Sequence, residues 1–223
     1  KKVLVTGAGG SIGSELCRQI IALAPSHLVL LDHSEHSLYS IHHELSNLCA
    51  KANSEVNVTP VLGSITDNEV INKTISNFHI ETIYHAAAYK HVTLLENNIK
   101  EGIVNNIFGT FIVIKAAIHF KVKNFILIST DKAVRPSSVM GATKRITELI
   151  AQGLSKKQNE LDSGQGLTTR FAIVRFGNVL GSSGSVIPLF KKQIENGGPI
   201  TITHPEVTRY FMTISEASQL VIQ

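Results

Sequence analysis

Short runs of apolar residues alternate along the chain with longer segments in which apolar residues recur every three or four positions. Runs of the first kind are typical of buried strands, and segments of the second kind are typical of amphipathic helices. Strands are therefore predicted at residues 3–6, 28–31, 58–62, 82–85, 125–128 and 171–174. Helices are predicted from residue 12 to the turn at Pro25, and over residues 37–52, 104–119 and 139–154.

This order of elements predicts an α/β fold with a parallel sheet that is covered by helices on both faces. With right-handed crossovers, it is the doubly wound Rossmann architecture that binds dinucleotides. Pro60 cannot donate a ladder hydrogen bond, so we expect the third strand at a sheet edge. Glycine and serine become frequent after residue 176. We therefore expect a Rossmann domain over residues 1–176 and a small, incomplete substrate-binding region, interleaved with it, over residues 177–223.

Composition narrows the class of protein. Hydrophobic residues make up 43% of the chain and charged residues 17%, which supplies a core and excludes a disordered chain. No uninterrupted apolar run reaches the roughly 18–20 residues of a membrane helix. Cys17 and Cys49 are too few for a disulfide scaffold or a four-ligand zinc site, and the histidines form no matched metal-binding set. The net charge of +4 is too mild and dispersed to indicate nucleic-acid binding.

A glycine-rich loop joins the first predicted strand to the first predicted helix. Gly7, Gly10 and Gly13 allow a tight turn, close approach of the backbone to a pyrophosphate, and close packing of the helix on the sheet. Ser11 and Ile12 lie at the helix start, where backbone N–H groups can face an anion. The loop therefore predicts a dinucleotide site, with a purely structural glycine turn as the alternative.

Asp32 ends the second predicted strand, about 20 residues beyond the loop. A carboxylate there can accept hydrogen bonds from a ribose diol and would repel a 2′-phosphate, and no arginine or lysine follows in residues 33–36. The position favours NAD over NADP. The alternative is an aspartate that caps a helix or faces solvent.

A second group of polar residues follows the fifth predicted strand, at the sheet edge where α/β proteins bind ligands. Thr130, Asp131 and Lys132 come directly after this strand. Met140 and Lys144 follow in a predicted helix, one turn apart and on one face. A helix-entry turn and a surface lysine are the structural alternatives.

These motifs resemble the extended short-chain dehydrogenase/reductase family. Within it, TDKAVRP at 130–136 and VMGATKR at 139–145 resemble the UDP-N-acetylglucosamine 4,6-dehydratases of the large, membrane-anchored, CapD-like polysaccharide-biosynthesis group, in which methionine replaces the usual tyrosine. The resemblance extends over essentially the whole chain and includes HAAAYKHV at 85–92, NNIFGT at 105–110 and RFGNVLG at 175–181.

The resemblance implies an internal redox reaction on a UDP-N-acetylhexosamine. A hydride leaves C4 of the sugar for NAD, water is lost from C5 and C6, and the hydride returns to C6. Lys144 then holds the nicotinamide ribose, Thr130 orients the C4 hydroxyl, Asp131 is the acid for the departing C6 hydroxyl, and Lys132 is the base at C5. Met140 cannot transfer a proton. Because an adjacent carboxylate favours a cationic lysine, the division of roles between Asp131 and Lys132 stays open.

The resemblance also extends the expected site. On the cofactor side the further residues are Ser64, Ile65, Ala86, Ala87, Ala88 and Asn106; on the substrate side they are Lys90, Asn178, Val186, Thr201, Thr203 and Arg209. Two alternatives remain, a 4-epimerase, which is expected to have the tyrosine, and a non-catalytic NAD-binding module. The chain lacks an initial methionine and stops within an apolar run, so we expect a piece of a longer protein. The expected whole is a homo-oligomer whose cytoplasmic domain is attached to a bacterial inner membrane by a region outside this chain.

Overall fold

The main sheet has the predicted doubly wound topology. The computed structural model describes residues 1–161, 168–181, 186–202, 206, 208 and 210–223, with backbone alone at 161 and 186. Within these residues, the main strands are β1 (Lys2–Thr6), β2 (His27–Asp32), β3 (Asn57–Leu62), β4 (Thr82–His85), β5 (Asn124–Thr130) and β6 (Arg170–Phe176). They are parallel and lie in the order β3-β2-β1-β4-β5-β6. The strand that contains Pro60 is therefore at an edge, as expected.

Helices cover both faces of this sheet. Within the described residues they are α1 (Ser11–Ala22), α2 (Glu35–Lys51), α3 (Asn68–Phe78), α4 (Val92–Glu96), α5 (Ile99–Gly102), α6 (Thr110–His119), α7 (Val139–Leu161), α8 (Val186–Glu195) and α9 (Ile214–Ile222). A π-helical segment, Ile103–Gly109, joins α5 to α6. A single 3-10 turn, Asp131–Ala133, follows β5.

Alternate residues of the strands enter two hydrophobic layers. Leu4 of β1 packs in the layer between the sheet and α3 and α6, whereas Val5 packs with α1 and α2 on the other face. Leu16 and Phe125 are among the fully buried side chains of these layers. Full burial of each such side chain contributes about 1.5–3 kcal/mol, so the two layers hold the strand ends at fixed positions.

The last part of the chain returns to the Rossmann sheet. β7 (Asn178–Val179) pairs with β8 (Phe211–Met212) in a small parallel sheet. Thr213 then starts α9 through a capping box with Glu216, and α9 packs against α1. Val221 of α9 is buried in the layer that contains α1 and α2.

One helical stretch passes a membrane-span criterion among the described residues. The continuous helix Ile99–His119 is long and apolar enough to cross a membrane by length and composition. Here it contributes to the protein core, because Val113, Ile114 and Ala117 are fully buried and α6 packs against α3.

Candidate active site

A cleft of about 990 Å³ opens at the carboxyl ends of the main strands. It lies where β1 and β4 are neighbours and their connections run to opposite sides, which is the switch point at which doubly wound sheets bind ligands. Among the residues predicted from the sequence, those that line this cleft are Gly7, Gly10, Ser11, Ile12, Gly13, Ala86, Ala88, Lys90, Thr130, Lys132, Met140, Lys144, Asn178 and Thr201. The fold thus brings most of the expected cofactor, catalytic and substrate residues to one cleft, whereas Asp131 is not in its lining.

The glycine loop has no room for side chains. Gly7 has φ +69°, and a Cβ atom there would lie 2.7 Å from the Cα of Ala87. A Cβ atom at Gly13 would collide with the carbonyl oxygen of Gly7, to which Gly10 N–H also donates at 3.0 Å. The glycines therefore make the tight turn and bring the start of α1 directly to the cleft.

Asp32 supports this loop from behind the cleft. Its carboxylate is buried and accepts hydrogen bonds from the N–H groups of Gly9 and Ser34, each at 2.9 Å. Each carboxylate oxygen retains further acceptor capacity, which a ribose hydroxyl can use. Among the described residues, the predicted cofactor residues Asp32, Ser64, Ile65, Ala87 and Asn106 are not in the cleft lining.

Three of these residues have structural contacts of their own. The Ser64 hydroxyl accepts a hydrogen bond from Thr66 N–H, Ile65 is buried in the layer with α6, and Ala87 packs beside the same layer. Of the three, Ala87 borders the glycine loop, where its backbone lies against Gly7.

Asn106 acts as a clamp within the π-helical segment. Its Oδ1 accepts from the Tyr89 N–H at 2.8 Å, and its Nδ2 donates to the Tyr89 carbonyl at 2.9 Å and to Thr143 Oγ1 at 3.1 Å. The side chain is fully buried. Asn106 therefore fixes the backbone that presents Tyr89 and Lys90 to the cleft and ties it to the turn before Lys144.

A buried histidine links the strand ends beneath the cleft. Thr6 Oγ1 accepts the Ala87 N–H and is hydrogen-bonded to Nδ1 of His85 at 2.8 Å, and Nε2 of His85 is hydrogen-bonded to Thr110 Oγ1 at 2.9 Å. Burial, together with the nearby Lys144 cation, lowers the pKa of His85 from 6.5 to about 3. The ring is therefore neutral at ordinary pH and holds β1, β4 and α6 together.

Thr130, Asp131 and Lys132 form one hydrogen-bonded group. The Thr130 hydroxyl donates to Asp131 Oδ1 at 2.9 Å, and Lys132 Nζ donates to the same oxygen at 3.1 Å and to Asn178 Oδ1 at 3.1 Å. Partial burial acts to raise the pKa of Asp131, but hydrogen bonds from Thr130 and Lys132 outweigh it and hold that pKa below its ordinary value. Asp131 is thus ionised at neutral pH and can accept a proton. It is hydrogen-bonded directly to the hydroxyl of Thr130, a residue that lines the cleft.

Met140 and Lys144 reach the cleft from α7. Both side chains are buried and both line the cleft. Burial lowers the pKa of Lys144 to about 8, although the charge of Glu148 opposes that effect. No carboxylate of the described residues lies within 4.0 Å of Lys144 Nζ. Its ammonium group is therefore a buried cation suited to a polar ligand.

The substrate side is described in part. Lys90 lines the cleft with an exposed side chain, and partial desolvation lowers the pKa of its ammonium group. Thr201 lies outside the strands, and its N–H donates to the Gln193 side chain of α8 at 3.2 Å. Thr203 and Arg209 lie outside the described residues, as does the side chain of Val186.

Sequence reasoning missed several cleft residues. Tyr89, Leu94, Leu95, Phe190, Ile202 and Phe211 also line the cleft. From sequence alone, such residues cannot be distinguished from core residues. Only Tyr89 could have been recognised, from its position beside Lys90. The described residues contain no group of three or more histidine, cysteine, aspartate or glutamate side chains that could hold a metal ion.

A doubly wound sheet whose glycine loop opens into a cleft at the switch point defines a nucleotide-binding Rossmann protein. Comparison with known families narrows this class, because the model of a family described as polysaccharide biosynthesis protein matches residues 3–223. The chain belongs to this polysaccharide biosynthesis family. The family relationship expected from the sequence motifs is thereby confirmed.

Three curated relatives illustrate the range of the family. The capsular polysaccharide biosynthesis protein CapD of Staphylococcus aureus is 53% identical over all of this chain and 35% of its own length. A UDP-glucose 4-epimerase of Rickettsia rickettsii is 32% identical over all of this chain and 62% of its own length. A UDP-N-acetylglucosamine 4,6-dehydratase (inverting) of Campylobacter jejuni is 31% identical over all of this chain and 62% of its own length. The chain thus spans less than two thirds of each.

Solved structures confirm the fold class. Pen from Bacillus thuringiensis is 34% identical, with a TM-score of 0.88 over 100% of this chain and 66% of that one. The dTDP-glucose 4,6-dehydratase DesIV from Streptomyces venezuelae, solved as a double mutant with NAD and DAU bound, has a TM-score of 0.82 over 99% of this chain and 70% of that one. At 20% identity, the second likeness concerns the fold alone.

Proposed function

We propose that this chain carries the catalytic site of an NAD-dependent UDP-N-acetylglucosamine 4,6-dehydratase in polysaccharide or glycan biosynthesis. The observation that carries the proposal is the hydrogen-bonded group of Thr130, Asp131 and Lys132, in which Thr130 and Lys132 line the same cleft as Met140 and Lys144. This group supplies acid–base chemistry where a tyrosine is absent. The family membership and the relatives named as a capsular polysaccharide protein and a dehydratase support the same reading.

The cleft suits a dinucleotide. Side chains are excluded from the glycine loop at Gly7 and Gly13, so that a pyrophosphate can approach the start of α1. Lys144, which has no carboxylate of the described residues within 4.0 Å, supplies a buried cation for the nicotinamide ribose, and Asp32 retains acceptor capacity behind the loop for the other ribose. When bound, NAD accepts a hydride from C4 of the sugar and returns it to C6.

Thr130 and Asp131 provide a path for the C4 hydroxyl proton. The substrate hydroxyl donates its proton to Thr130 Oγ1 while Thr130 passes its own proton to Asp131 Oδ1 along the existing hydrogen bond. Asp131 then delivers this proton to the departing C6 hydroxyl, so that one proton is taken up and one is released as part of water.

As the neutral amine, Lys132 Nζ takes the C5 proton and becomes an ammonium group, which returns the same proton to C5 after water has left. Hydrogen bonds from Nζ to Asp131 Oδ1 and Asn178 Oδ1 hold this base beside the acid. The two residues therefore act as a pair.

Substitutions of this pair test the proposal. Asp131→Asn and Lys132→Ala are expected to abolish formation of the 4-keto-6-deoxy product from UDP-N-acetylglucosamine, while NAD remains bound. Lys51→Ala, at an exposed position of α2, is the control and is expected to leave turnover unchanged. Near-normal turnover in both site variants would reject the assigned roles.

A 4-epimerase is the second candidate function, favoured by the identity to the Rickettsia enzyme. It predicts UDP-N-acetylgalactosamine as the product from UDP-N-acetylglucosamine. Met140 argues against it, because an epimerase is expected to use a tyrosine there. A non-catalytic module is the third reading, and it predicts NAD binding without turnover.

The proposed protein is a homo-oligomer. Ile103 and Phe108 on the helix Ile99–His119, and Ile146 and Leu149 on α7, expose apolar side chains that a second copy can cover. Sedimentation of the isolated domain tests this, and a monomer at micromolar concentration argues against it. We place the site in the cytoplasm, where nucleotide sugars are made, with membrane attachment through a region outside this chain.

A further inference from the structure

Glu148 of α7 gathers four hydrogen bonds beneath the cleft. Its Oε1 accepts from Ser129 Oγ at 2.6 Å and from Arg175 Nε at 2.7 Å, and its Oε2 accepts from Arg145 and from the Arg175 guanidinium. The side chain is fully buried. Burial acts to raise the pKa of Glu148, but its hydrogen bonds, that from Arg175 first, hold this pKa at about 2. The carboxylate is thus ionised throughout the ordinary pH range.

Two partners of Glu148 lie on the neighbouring strands that lead to the site. Ser129 of β5 and Arg175 of β6 are direct neighbours in the sheet. The chain beyond Ser129 carries the proposed catalytic group from Thr130 onward, and the chain beyond Arg175 leads to Asn178. Lys132 Nζ donates to Asn178 Oδ1, which joins the segments that follow the two strands. Glu148 and this hydrogen bond therefore connect the carboxyl ends of β5 and β6 at two points.

Glu148 also lies one helical turn beyond Lys144. Its charge raises the pKa of Lys144 against the effect of burial. Other titratable or charged groups around Lys144 include His85, Lys90, Glu101, Asp131, Lys132, Arg145 and Arg175. His85 is neutral, and Arg175 is paired with Glu148, so that removal of Glu148 leaves uncompensated positive charge near Lys144.

We infer that Glu148 is a positioning residue that aligns the two strand ends of the site and keeps Lys144 cationic. The inference rests on the proposed function for its effect on turnover, but its effect on Lys144 is independent of the reaction. A purely structural role predicts lower stability without a change in the titration of Lys144.

The test compares Glu148→Gln, Ser129→Ala and the unsubstituted catalytic domain. Lysine Cε chemical shifts, assigned with Lys144→Arg, follow the titration of Lys144, and turnover of UDP-N-acetylglucosamine is measured in parallel. In Glu148→Gln we expect the Lys144 titration to move down by about 1 pH unit and kcat to fall on the order of 100-fold. Ser129→Ala loses only the contact to β5, so we expect a lower kcat with the Lys144 titration unchanged.

Glu148→Asp serves where Glu148→Gln does not fold, since it keeps the charge and shortens the reach. It is expected to leave the Lys144 titration in place and to lower kcat at least about 10-fold. An unshifted Lys144 titration in Glu148→Gln, or wild-type kcat in Glu148→Asp, overturns the inference. Absence of product from the unsubstituted domain refutes the proposed function instead, and the Lys144 titration still tests the role of Glu148.

Discussion

Acid should destabilise this protein through His85. The ring is fully buried between Thr6 and Thr110, and its pKa falls from 6.5 to about 3 on folding. Below pH 6.5 the unfolded chain therefore binds a proton at His85, whereas the folded protein binds this proton only when the pH falls to about 3. The contribution is fully present above pH 6.5 and is lost as the pH falls through this window. The difference between the two pKa values corresponds to at most about 5 kcal/mol of unfolding free energy.

Urea unfolding at a series of pH values from 7.5 to 4 measures this loss. His85→Gln removes the titrating ring, so its unfolding free energy is expected to fall less steeply over this range than that of the unsubstituted protein. Carboxylates titrate in both proteins and cancel in the difference. His36→Gln, at an exposed position of α2, is the control and should keep the full slope. Equal slopes for His85→Gln and the unsubstituted protein would show that the buried ring is not the cause.

Three further substitutions address the cofactor site. Gly13→Ala places a Cβ atom against the Gly7 carbonyl and should abolish NAD binding in calorimetry, whereas Gly153→Ala meets nothing within 4 Å and should stabilise α7 by about 0.5–1 kcal/mol in urea unfolding. Equal NAD affinity in the two variants contradicts this role of the loop. Asp32→Ala should weaken NAD binding at least about 10-fold, since a charge-assisted hydrogen bond contributes about 1.5–3 kcal/mol; unchanged affinity refutes the ribose contact. Lys144→Gln should lower kcat by at least about 100-fold, and a smaller effect in steady-state kinetics argues against its role.

Much of the fold could be predicted from local patterns in the sequence. Buried parallel strands are apolar along their whole length, so their positions and the sheet class were visible without a structure. Pro60 identified an edge strand because proline has no N–H group to donate to a neighbouring strand. Gly7 and Gly13 identified the loop because their conformations and contacts exclude side chains. Strand ends then indicated where Thr130 and Lys132 meet a ligand.

Contacts between distant segments could not be predicted in this way. Asn106 was expected near the cofactor, but the π-helical segment turns it toward the Tyr89 backbone, and no local pattern encodes that geometry. His85 and Glu148 are polar residues whose partners lie on other strands or helices, so their roles emerge only from packing.

Deuterium at C4 of UDP-N-acetylglucosamine reports most directly on whether this cleft performs an internal dehydration. The labelled sugar nucleotide is incubated with a complete catalytic domain and NAD, and the product is examined by mass spectrometry and NMR. We expect a 4-keto-6-deoxy product that carries the deuterium in its C6 methyl group. Recovery of UDP-N-acetylgalactosamine with deuterium still at C4, or of unreacted substrate beside bound NAD, would contradict the proposed dehydration.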